Sequence, residues 1–437
     1  MLPEFDTPSS AAHDAQRHLL RSDPTFRTLW LGQTISMMGS QITAYALPLL
    51  AVLTLHATPS QMGTLRALEY APAMLIGLVA GVWVDRLRRR PLLIATDLVQ
   101  AALLVILPLA AALGLLRLGV LDTVVALLSL VSVFSGAAAG AIVPVLIPQD
   151  RLIQANSALA TSGSTTQIIG PGLAGILVQA MTAPVAVLVD ALSFLLSALA
   201  LGRIHVREAN PPPAAQRPSL RAEVGEGLRM VIGTPILRAF VASSATLDVF
   251  WNALMAVYFL YITRDLRLPP TAYGLIFGLG SIGALLGSLV AGPVSRRLGL
   301  GPAVIVAQFV LGAAGLLIAL SVRLPTVALV LLTLAEMVQG GMNTIYGINS
   351  QSLTQAMVPD RLRGRVNASR QVLGLVGVTG GALIGGILGD RVGVPTTVVI
   401  GASGGVLAFV WLLLSPLRAL RAVPPSEQGD NWSANDD

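Results

Sequence analysis

The sequence predicts an all-α polytopic membrane protein with twelve transmembrane helices in two pseudo-symmetric six-helix halves. Three observations support this prediction. The 437 residues are 54% hydrophobic and only 11% charged, with a mean hydropathy of +0.75. This apolar content exceeds that of a soluble globular protein. The apolar residues form runs of about 20 or more, long enough to cross ~30 Å of hydrocarbon. A segment of the first half also returns in the second.

The repeat links a short basic run to its later copy. Residues 81–91 read GVWVDRLRRRP and residues 292–302 read GPVSRRLGLGP, and both copies open with a glycine that follows Leu-Val-Ala. Residues 150–152 and 360–362 both read Asp-Arg-Leu at nearly the same separation. Such internal similarity predicts a duplicated unit, so the chain is expected to consist of two equivalent halves.

Counting apolar runs along the chain places twelve spans near residues 27–52, 62–84, 91–115, 122–146, 152–180, 184–203, 236–262, 272–294, 302–322, 326–350, 367–388 and 394–416. The chain is expected to divide into a tail at 1–25, a first half at 26–204, a linker at 205–235, a second half at 236–416 and a tail at 417–437. The first tail is polar and lacks the apolar region of a signal peptide. The linker contains an amphipathic segment with apolar residues at helical spacing.

The orientation follows from the arginines, because short loops rich in Lys or Arg stay on the cytoplasmic side. All 28 basic residues are arginine. If the N-terminus lies in the cytoplasm, all but six of these arginines lie near the cytoplasmic face. The six on the outer side are Arg66, Arg117, Arg264, Arg267, Arg323 and Arg391. Both termini are therefore expected in the cytoplasm.

Composition and motif context argue against several function classes. The absence of cysteine excludes disulfides and thiolate chemistry, and the absence of lysine removes the phosphate-binding residue of a Walker A loop. Four scattered histidines offer no metal site, so neither a metal nor a cofactor is expected. Matches to GxGxxG at 278–283 and GxSxG at 401–405 lie inside apolar spans without a strand-turn-helix context, so we do not expect an enzyme. The arginines have no aromatic residues beside them, and nucleic acid is not expected as a partner.

The basic run also carries a recognisable motif. It resembles the GxxxDRxGRR signature between the second and third helices of the major facilitator superfamily, although Arg88 stands at the signature's second glycine. The matching positions are Gly81, Asp85, Arg86, Arg89 and Arg90. Membrane topology alone would account for Arg88 and Arg90. Asp85, with Arg89 at i+4 and a helix N-terminus of the other half, can form a latch. In families resembling this one, the latch holds the outward-open state.

A second motif lies in the fifth span, where Gly170, Pro171 and Gly175 resemble a Gly-Pro signature of drug antiporters. A close-packed helix kink is the alternative interpretation. A wider resemblance, over about residues 26–416, is to the macrolide-efflux and enterobactin-exporter branch of the superfamily. It is carried by Asp97 and by residues 148–156 and 190–194. Branch members often have an acid in the first span, where this chain has Gln41, a further candidate for the substrate site.

Acids within the spans give an independent indication of function, because a carboxylate at mid-bilayer costs ~2.5–3.5 kcal/mol on insertion scales. Asp248 and Glu336 lie roughly 15 to 18 Å deep at 1.5 Å per residue, with Asn252 and Asn343 on the same helix faces. They are the first candidates for binding protons or substrate. Three shallower acids are secondary candidates or structural residues: Glu69, Asp97 and Asp190. No arginine is expected at the depth of the central pair.

The resemblance implies a secondary active exporter of amphipathic, drug-like or macrolide-like molecules in a bacterial inner membrane, with proton antiport as the expected drive. Siderophore export and transport of a neutral metabolite are alternatives within the same class. A transport-inactive sensor or lipid-handling protein is the alternative from another class. The expected partners are the lipid bilayer, a small amphipathic substrate and protons, and the protein is expected to be a monomer.

Overall fold

The computed structural model describes residues 22–84, 87–205 and 220–420, and the regular elements in those ranges are all helices. The first half contains α1 Pro24–Leu53, α2 Pro59–Val84, α3 Arg89–Ala112, α4 Leu118–Leu146, α5 Leu152–Met181 and α6 Ala183–Arg203. A short helix, α7 Leu220–Gly233, precedes the second half. The second half contains α8 Pro235–Leu260, α9 Pro270–Leu298, α10 Leu300–Ser321, α11 Ala328–Met357, α12 Asp360–Val392, α13 Val394–Gly404 and α14 Ala408–Leu413.

Twelve crossings result when α13 and α14, joined through the 3₁₀ turn Gly405–Leu407, count as one. Within the described residues, ten of the crossings are long and apolar enough to span a membrane by length and composition. The other two are α2, which carries Arg66 and Glu69, and α5, which is rich in Ser, Thr and Gln. The predicted fold, twelve helices in two halves, is confirmed. The two more polar helices also make most of the contacts with the second half.

The helix junctions repeat between the halves. Thr182 joins α5 to α6 with φ 85° and ψ 153°, and Gly393 joins α12 to α13 with φ 89° and ψ 155°. These are equivalent positions in a duplicated six-helix unit. Positive φ suits glycine, whereas a β-branched residue such as Thr182 adopts it at a cost. The first half therefore keeps the same sharp turn with the less suitable residue.

Helix ends differ from the predicted spans where the chain leaves the apolar layer. Helix α12 begins at Asp360, seven residues before the predicted start at 367, because its first two turns are polar and lie outside the apolar run. Helix α1 begins at Pro24, where the Asp23 carboxylate accepts the backbone N–H groups of Thr25 and Phe26 at 2.9 and 3.0 Å. Such caps satisfy N–H groups that the first helical turn leaves free.

The two ends of the bundle differ in charge. We call one the arginine-rich end; its described arginines include Arg27, Arg88, Arg89, Arg90, Arg151, Arg203, Arg229, Arg238, Arg296, Arg297, Arg363, Arg365 and Arg418. The other is the arginine-poor end, which holds Arg117, Arg264, Arg267, Arg323 and Arg391.

The halves meet through small residues at the arginine-poor end. A Cβ on Gly63 of α2 would lie 2.6 Å from the Ala382 carbonyl oxygen of α12, and one on Gly175 of α5 would lie 2.7 Å from the Pro270 carbonyl oxygen of α9. Toward the arginine-rich end of the same two helices, Gly77 and Gly163 have nothing within 4 Å of such a Cβ. The bundle is thus closed at the arginine-poor end, and α2 and α5 lose these close contacts toward the other.

Candidate functional site

Two cavities, one of about 380 Å³ and one of about 330 Å³, meet at Asp248. The smaller one, which we call the central cavity, lies between α8, α10 and α11. Its lining residues are Leu247, Asp248, Trp251, Leu311, Glu336, Gln339, Gly340 and Asn343. All of them belong to the second half. The structure therefore brings together three predicted site residues, Asp248, Glu336 and Asn343, around one space.

Glu336 lies on α11 and is 9% exposed, and its Oε1 atom has no hydrogen-bond partner among the described residues. The position depends on close helix packing, because a Cβ on Gly280 of α9 would lie 2.9 Å from the Glu336 Cβ. Gly283 and Met337 approach more closely still, through the Met337 backbone. Small residues at this contact let α9 pack closely against the side of α11 away from the cavity, and the Glu336 carboxyl points toward the cavity.

Asn252 and Gln41 do not line the central cavity. Asn252 is 3% exposed; its Nδ2 donates to the Asp248 carbonyl oxygen at 2.8 Å, and its Oδ1 accepts from Arg66 at 3.4 Å. Gln41 packs on α5, where a Cβ at Gly170 would lie 2.4 Å from the Gln41 Cβ. Helix contacts occupy both side chains in this conformation, and their role at the substrate site stays a prediction.

No arginine was expected at the depth of the central acids, but the structure brings two arginines close to them. Arg66 lies inside α2, and its bond to Asn252 brings a guanidinium one helical turn from Asp248. Its Nη1 pairs with Glu69 Oε2 at 3.1 Å, and the guanidinium lies 5.2 Å from the Tyr70 ring centroid. Glu69 is thus in an ion pair within α2, and the hydrogen bond from Arg66 to Asn252 connects this pair to the second half. The second arginine, Arg370 of α12, lines the larger cavity together with Asp248.

Asp97 and Asp190 belong to a separate cluster inside the first half. Asp190 is 1% exposed, and its Oδ1 accepts the Ser193 hydroxyl at 2.9 Å. Asp97 of α3 is hydrogen-bonded to Ser197, one turn further along α6. Gly39 of α1 makes room for this cluster, because a Cβ there would lie 2.4 Å from Asp190 Oδ1. Neither acid lines the two cavities.

The predicted gating motif is only partly within the described residues. Asp85 and Arg86 lie outside them, so the latch stays a prediction. Gly81 is in the last turn of α2, and Arg89 begins α3. Arg90 has a clear structural role: its Nε and Nη2 donate to the carbonyl oxygens of Leu201 and Gly202 at 2.8 and 2.7 Å. A cation at free carbonyls stabilises a helix C-terminus, so Arg90 caps α6.

The Gly170, Pro171 and Gly175 motif lies buried in α5 at two contacts. Gly170 packs against Gln41 of α1, and Gly175 packs against the first turn of α9. In return, a Cβ on Gly274 of α9 would lie 3.1 Å from the Pro171 carbonyl oxygen. This geometry favours the close-packing interpretation, since the motif lets α5 touch both its own half and the other half.

The comparisons with known proteins agree with this architecture. The profile of the family described as "transmembrane secretion effector" matches residues 20–435. This chain belongs to that family, within the major facilitator superfamily. It is 28% identical to the multidrug efflux pump Tap of Mycolicibacterium fortuitum, over 87% of this chain and 93% of Tap. It is 24% identical to the enterobactin exporter EntS of Citrobacter koseri, over 94% and 97% of the two chains.

Solved structures with the same fold include a bacterial homologue of the iron transporter ferroportin. In its inward-facing state this homologue gives a TM-score of 0.71 at 19% identity, covering 90% of this chain and 98% of the other. The outward-facing state gives a TM-score of 0.55 at 20% identity, covering 90% and 99%. As a member of this family, the chain is a multi-pass membrane transporter, and its relatives are transporters rather than enzymes.

Sequence reasoning missed four residues that shape the site of this family member: Trp251, Leu311, Gln339 and Arg370. Trp251 and Gln339 were detectable, because each lies three residues from a central acid on the same helix face. Leu311 carries no such signal, since one leucine in an apolar span resembles any other. Arg370 was assigned to the edge of a span, and only helix packing reveals that it lines a cavity.

Proposed function

We propose that this transporter exports amphipathic small molecules by alternating access, driven by proton antiport, with Asp248 and Glu336 as the proton-binding residues. The arginine-rich end then faces the cytoplasm, as the positive-inside rule expects. Closure at the arginine-poor end makes the described conformation inward-open. The higher TM-score against the inward-facing than the outward-facing ferroportin homologue supports the same assignment of the ends.

The observation that carries this proposal is that two carboxyl groups face one cavity. Within the described residues, neither Asp248 nor Glu336 belongs to an ion pair. Glu336 Oε1 also lacks a hydrogen bond. Carboxyl groups that serve only the fold are normally paired or hydrogen-bonded when buried. An acid kept without a partner beside a cavity is available for a proton or a cationic substrate.

Proton coupling would then follow from the water content of the cavity. A dry cavity favours the neutral form of a carboxyl group and a wet one favours the charged form. Carboxyl groups reached from the arginine-poor side would therefore take up protons as the cavity closes and dries, and they would release them when water enters from the arginine-rich side. A cationic or amine substrate competes for the same carboxylates, and Trp251 and Leu311 offer apolar contacts to its body. The proton and the substrate each shift the equilibrium between the inward-open and outward-open conformations, by the amount that each prefers one conformation.

Purified protein in proteoliposomes tests this proposal. With an imposed pH difference, the wild type should accumulate ethidium against its gradient, and a pH-sensitive dye should report proton movement that depends on ethidium. Asp248→Asn and Glu336→Gln keep the shape of the side chains but fix the neutral state. Both variants should lose uphill accumulation while downhill movement of a neutral substrate continues.

Two results would contradict the proposal. If both neutral variants still build a gradient, the proton-binding residues lie elsewhere or another ion drives transport. If the folded wild type moves neither ethidium nor protons, a transport-inactive sensor becomes the better interpretation. The orientation is tested separately: Ser219→Cys should react with a membrane-impermeant maleimide only from the cytoplasmic side, and Thr182→Cys only from outside.

A further inference from the structure

The larger cavity, which we call the α8–α12 chamber, has a different chemistry from the central cavity. It has a volume of about 380 Å³ and lies toward the arginine-rich end, between α8, the end of α11 and the start of α12. Its polar lining residues are Ser244, Asp248, Gln351, Asn367, Arg370 and Gln371. The central cavity, in contrast, combines carboxyl groups with Trp251 and Leu311. Asp248 is the residue that both share.

Arg370 supplies the positive charge of the α8–α12 chamber. Its Nη1 donates to Thr354 Oγ1 of α11 at 3.3 Å, which fixes the direction of the guanidinium. No ion pair joins Arg370 to Asp248 or to another acid within the described residues. An arginine that only anchors the chain at a membrane surface would reach water or helix-end carbonyls. Arg363, two turns earlier, does so by donating to the carbonyl oxygens of Val358 and Gln355.

The neighbours of Arg370 suit an anionic group. Asn367 and Gln371 lie on the same stretch of α12, and Gln351 of α11 and Ser244 of α8 lie across the chamber. Amide and hydroxyl groups donate hydrogen bonds to carboxylate oxygens, and guanidinium binds a carboxylate through two parallel N–H groups. The uncompensated positive charge and the uncompensated negative charges of Asp248 and Glu336 therefore lie on the walls of two joined cavities.

We propose that the α8–α12 chamber binds the carboxylate of a zwitterionic amphiphile, through Arg370. The amine of the same molecule meets the carboxyl groups of the central cavity, and its apolar body lies against Trp251 and Leu311. The two cavities together have room for a drug-sized molecule. This inference rests on the proposed export function and names its substrate class: molecules with an amine at one end and a carboxylate at the other.

A matched pair of ligands tests the inference. Ciprofloxacin carries a carboxylate and a piperazine amine, and its methyl ester keeps the amine and the ring system but loses the anionic charge. Binding of both would be measured on the purified full chain in lipid nanodiscs, by quenching of quinolone fluorescence. A hydrogen bond to a charged group contributes about 1.5–3 kcal/mol, so Arg370→Gln should weaken ciprofloxacin binding roughly 10- to 100-fold. Binding of the ester should change by less than about threefold, because the ester lacks the anionic charge that guanidinium binds through two parallel N–H groups.

Two further variants make the result specific. Arg370→Lys keeps the charge and should retain a large part of the ciprofloxacin affinity. Arg363→Gln removes an arginine from the same helix outside the chamber and should leave both affinities unchanged. An equal loss for ciprofloxacin and ester in Arg370→Gln would show that Arg370 only positions α12, and this would overturn the inference. Unchanged binding of both ligands in Arg370→Gln would overturn it as well.

The outcome also separates this inference from the proposed function. A wild type that binds and exports the ester but not ciprofloxacin is an exporter of cations, so the function stands and the zwitterion site is wrong. A folded wild type that binds neither ligand contradicts the substrate class and the carboxylate site together. Ethidium-dependent proton movement then shows whether the proposed transport function still holds.

Discussion

The two halves of the bundle treat their buried acids differently. In the first half, Glu69 pairs with Arg66 at 3.1 Å and Asp190 accepts a hydroxyl from Ser193 at 2.9 Å. One oxygen of Asp97 and one oxygen of Glu336 have no partner among the described residues, but it is the acids of the second half, Glu336 and Asp248, that line the two cavities. The halves share a fold and a helix-junction geometry, so the difference arises from the side chains around each acid. Depth in the membrane alone does not identify a transport residue.

The difference has a physical origin in how each half fills its interior. Gly39 lets α1 approach the Asp190 carboxyl so closely that a Cβ would lie 2.4 Å from it, and hydroxyl groups occupy the remaining space. In the second half, the space beside Glu336 is left as a cavity of about 330 Å³. A packed acid can exchange a proton only if the helices move apart, whereas an acid at a cavity needs only water. The second half is therefore the expected location of proton coupling.

The largest expected effect comes from neutralising the acids of one half at a time. The double variant Asp248→Asn/Glu336→Gln should lower the uphill accumulation ratio to the passive level, a loss of about 5- to 150-fold for an ordinary coupling free energy. The matched double variant Asp97→Asn/Asp190→Asn should keep most of the accumulation ratio, because the amide oxygens can accept the same hydrogen bonds from the serine hydroxyl groups. Accumulation ratios in proteoliposomes at equal protein content are the measurement. Equal losses in both variants would remove the distinction between the halves.

The sequence predicts the fold well because membrane insertion depends on local apolarity, which counting detects. It singles out Asp248, Glu336 and Asn343, which the structure brings around one cavity, since residues spaced along one helix share a face. It does not place Asn252 or Gln41, because their surroundings depend on Arg66 and Gly170 of other helices. For the same reason the charge of the cavity walls was missed. Arg370 and Arg66 both lie near span edges in the sequence, and only helix packing brings them inward.

A second comparison concerns the contacts between the halves at the two ends. A Cβ on Gly386 of α12 would lie 2.8 Å from the Pro59 carbonyl oxygen and 3.0 Å from the Ser60 Cα of α2, whereas one on Gly163 meets nothing within 4 Å. Overpacking a close contact costs about 1–3 kcal/mol, so Gly386→Ala should shift the population toward opening at the arginine-poor end. Gly163→Ala should leave the population unchanged. Spin labels at exposed His56 and Arg391 would report longer distances only in Gly386→Ala.

This prediction includes a polar contact beside the same glycine. The Ser60 hydroxyl donates to Asp390 of α12, so α2 and α12 are joined by a hydrogen bond as well as by close packing. Ser60→Ala should therefore shift the spin-label distances in the same direction as Gly386→Ala, by a smaller amount. An unchanged distribution in Gly386→Ala would mean that these contacts do not close the arginine-poor end. The inward-open assignment would then lose its structural basis.

The smallest expected effect concerns one hydroxyl group in the first half. Ser193→Ala removes the hydrogen bond to Asp190 at 2.9 Å and should lower the free energy of unfolding by about 1 kcal/mol. Thr166→Val is the matched control, because among the described residues the buried Thr166 hydroxyl bonds only to the Gly163 carbonyl oxygen of its own helix. Unfolding in SDS and lipid mixed micelles measures both. A loss of about 1.5–3 kcal/mol in Ser193→Ala would indicate that the bond is made to a charged Asp190.

If Ser193→Ala instead leaves stability unchanged and lowers uphill transport, the acid cluster of the first half takes part in coupling. The contrast between a packed half and an open half would then no longer explain where protons bind.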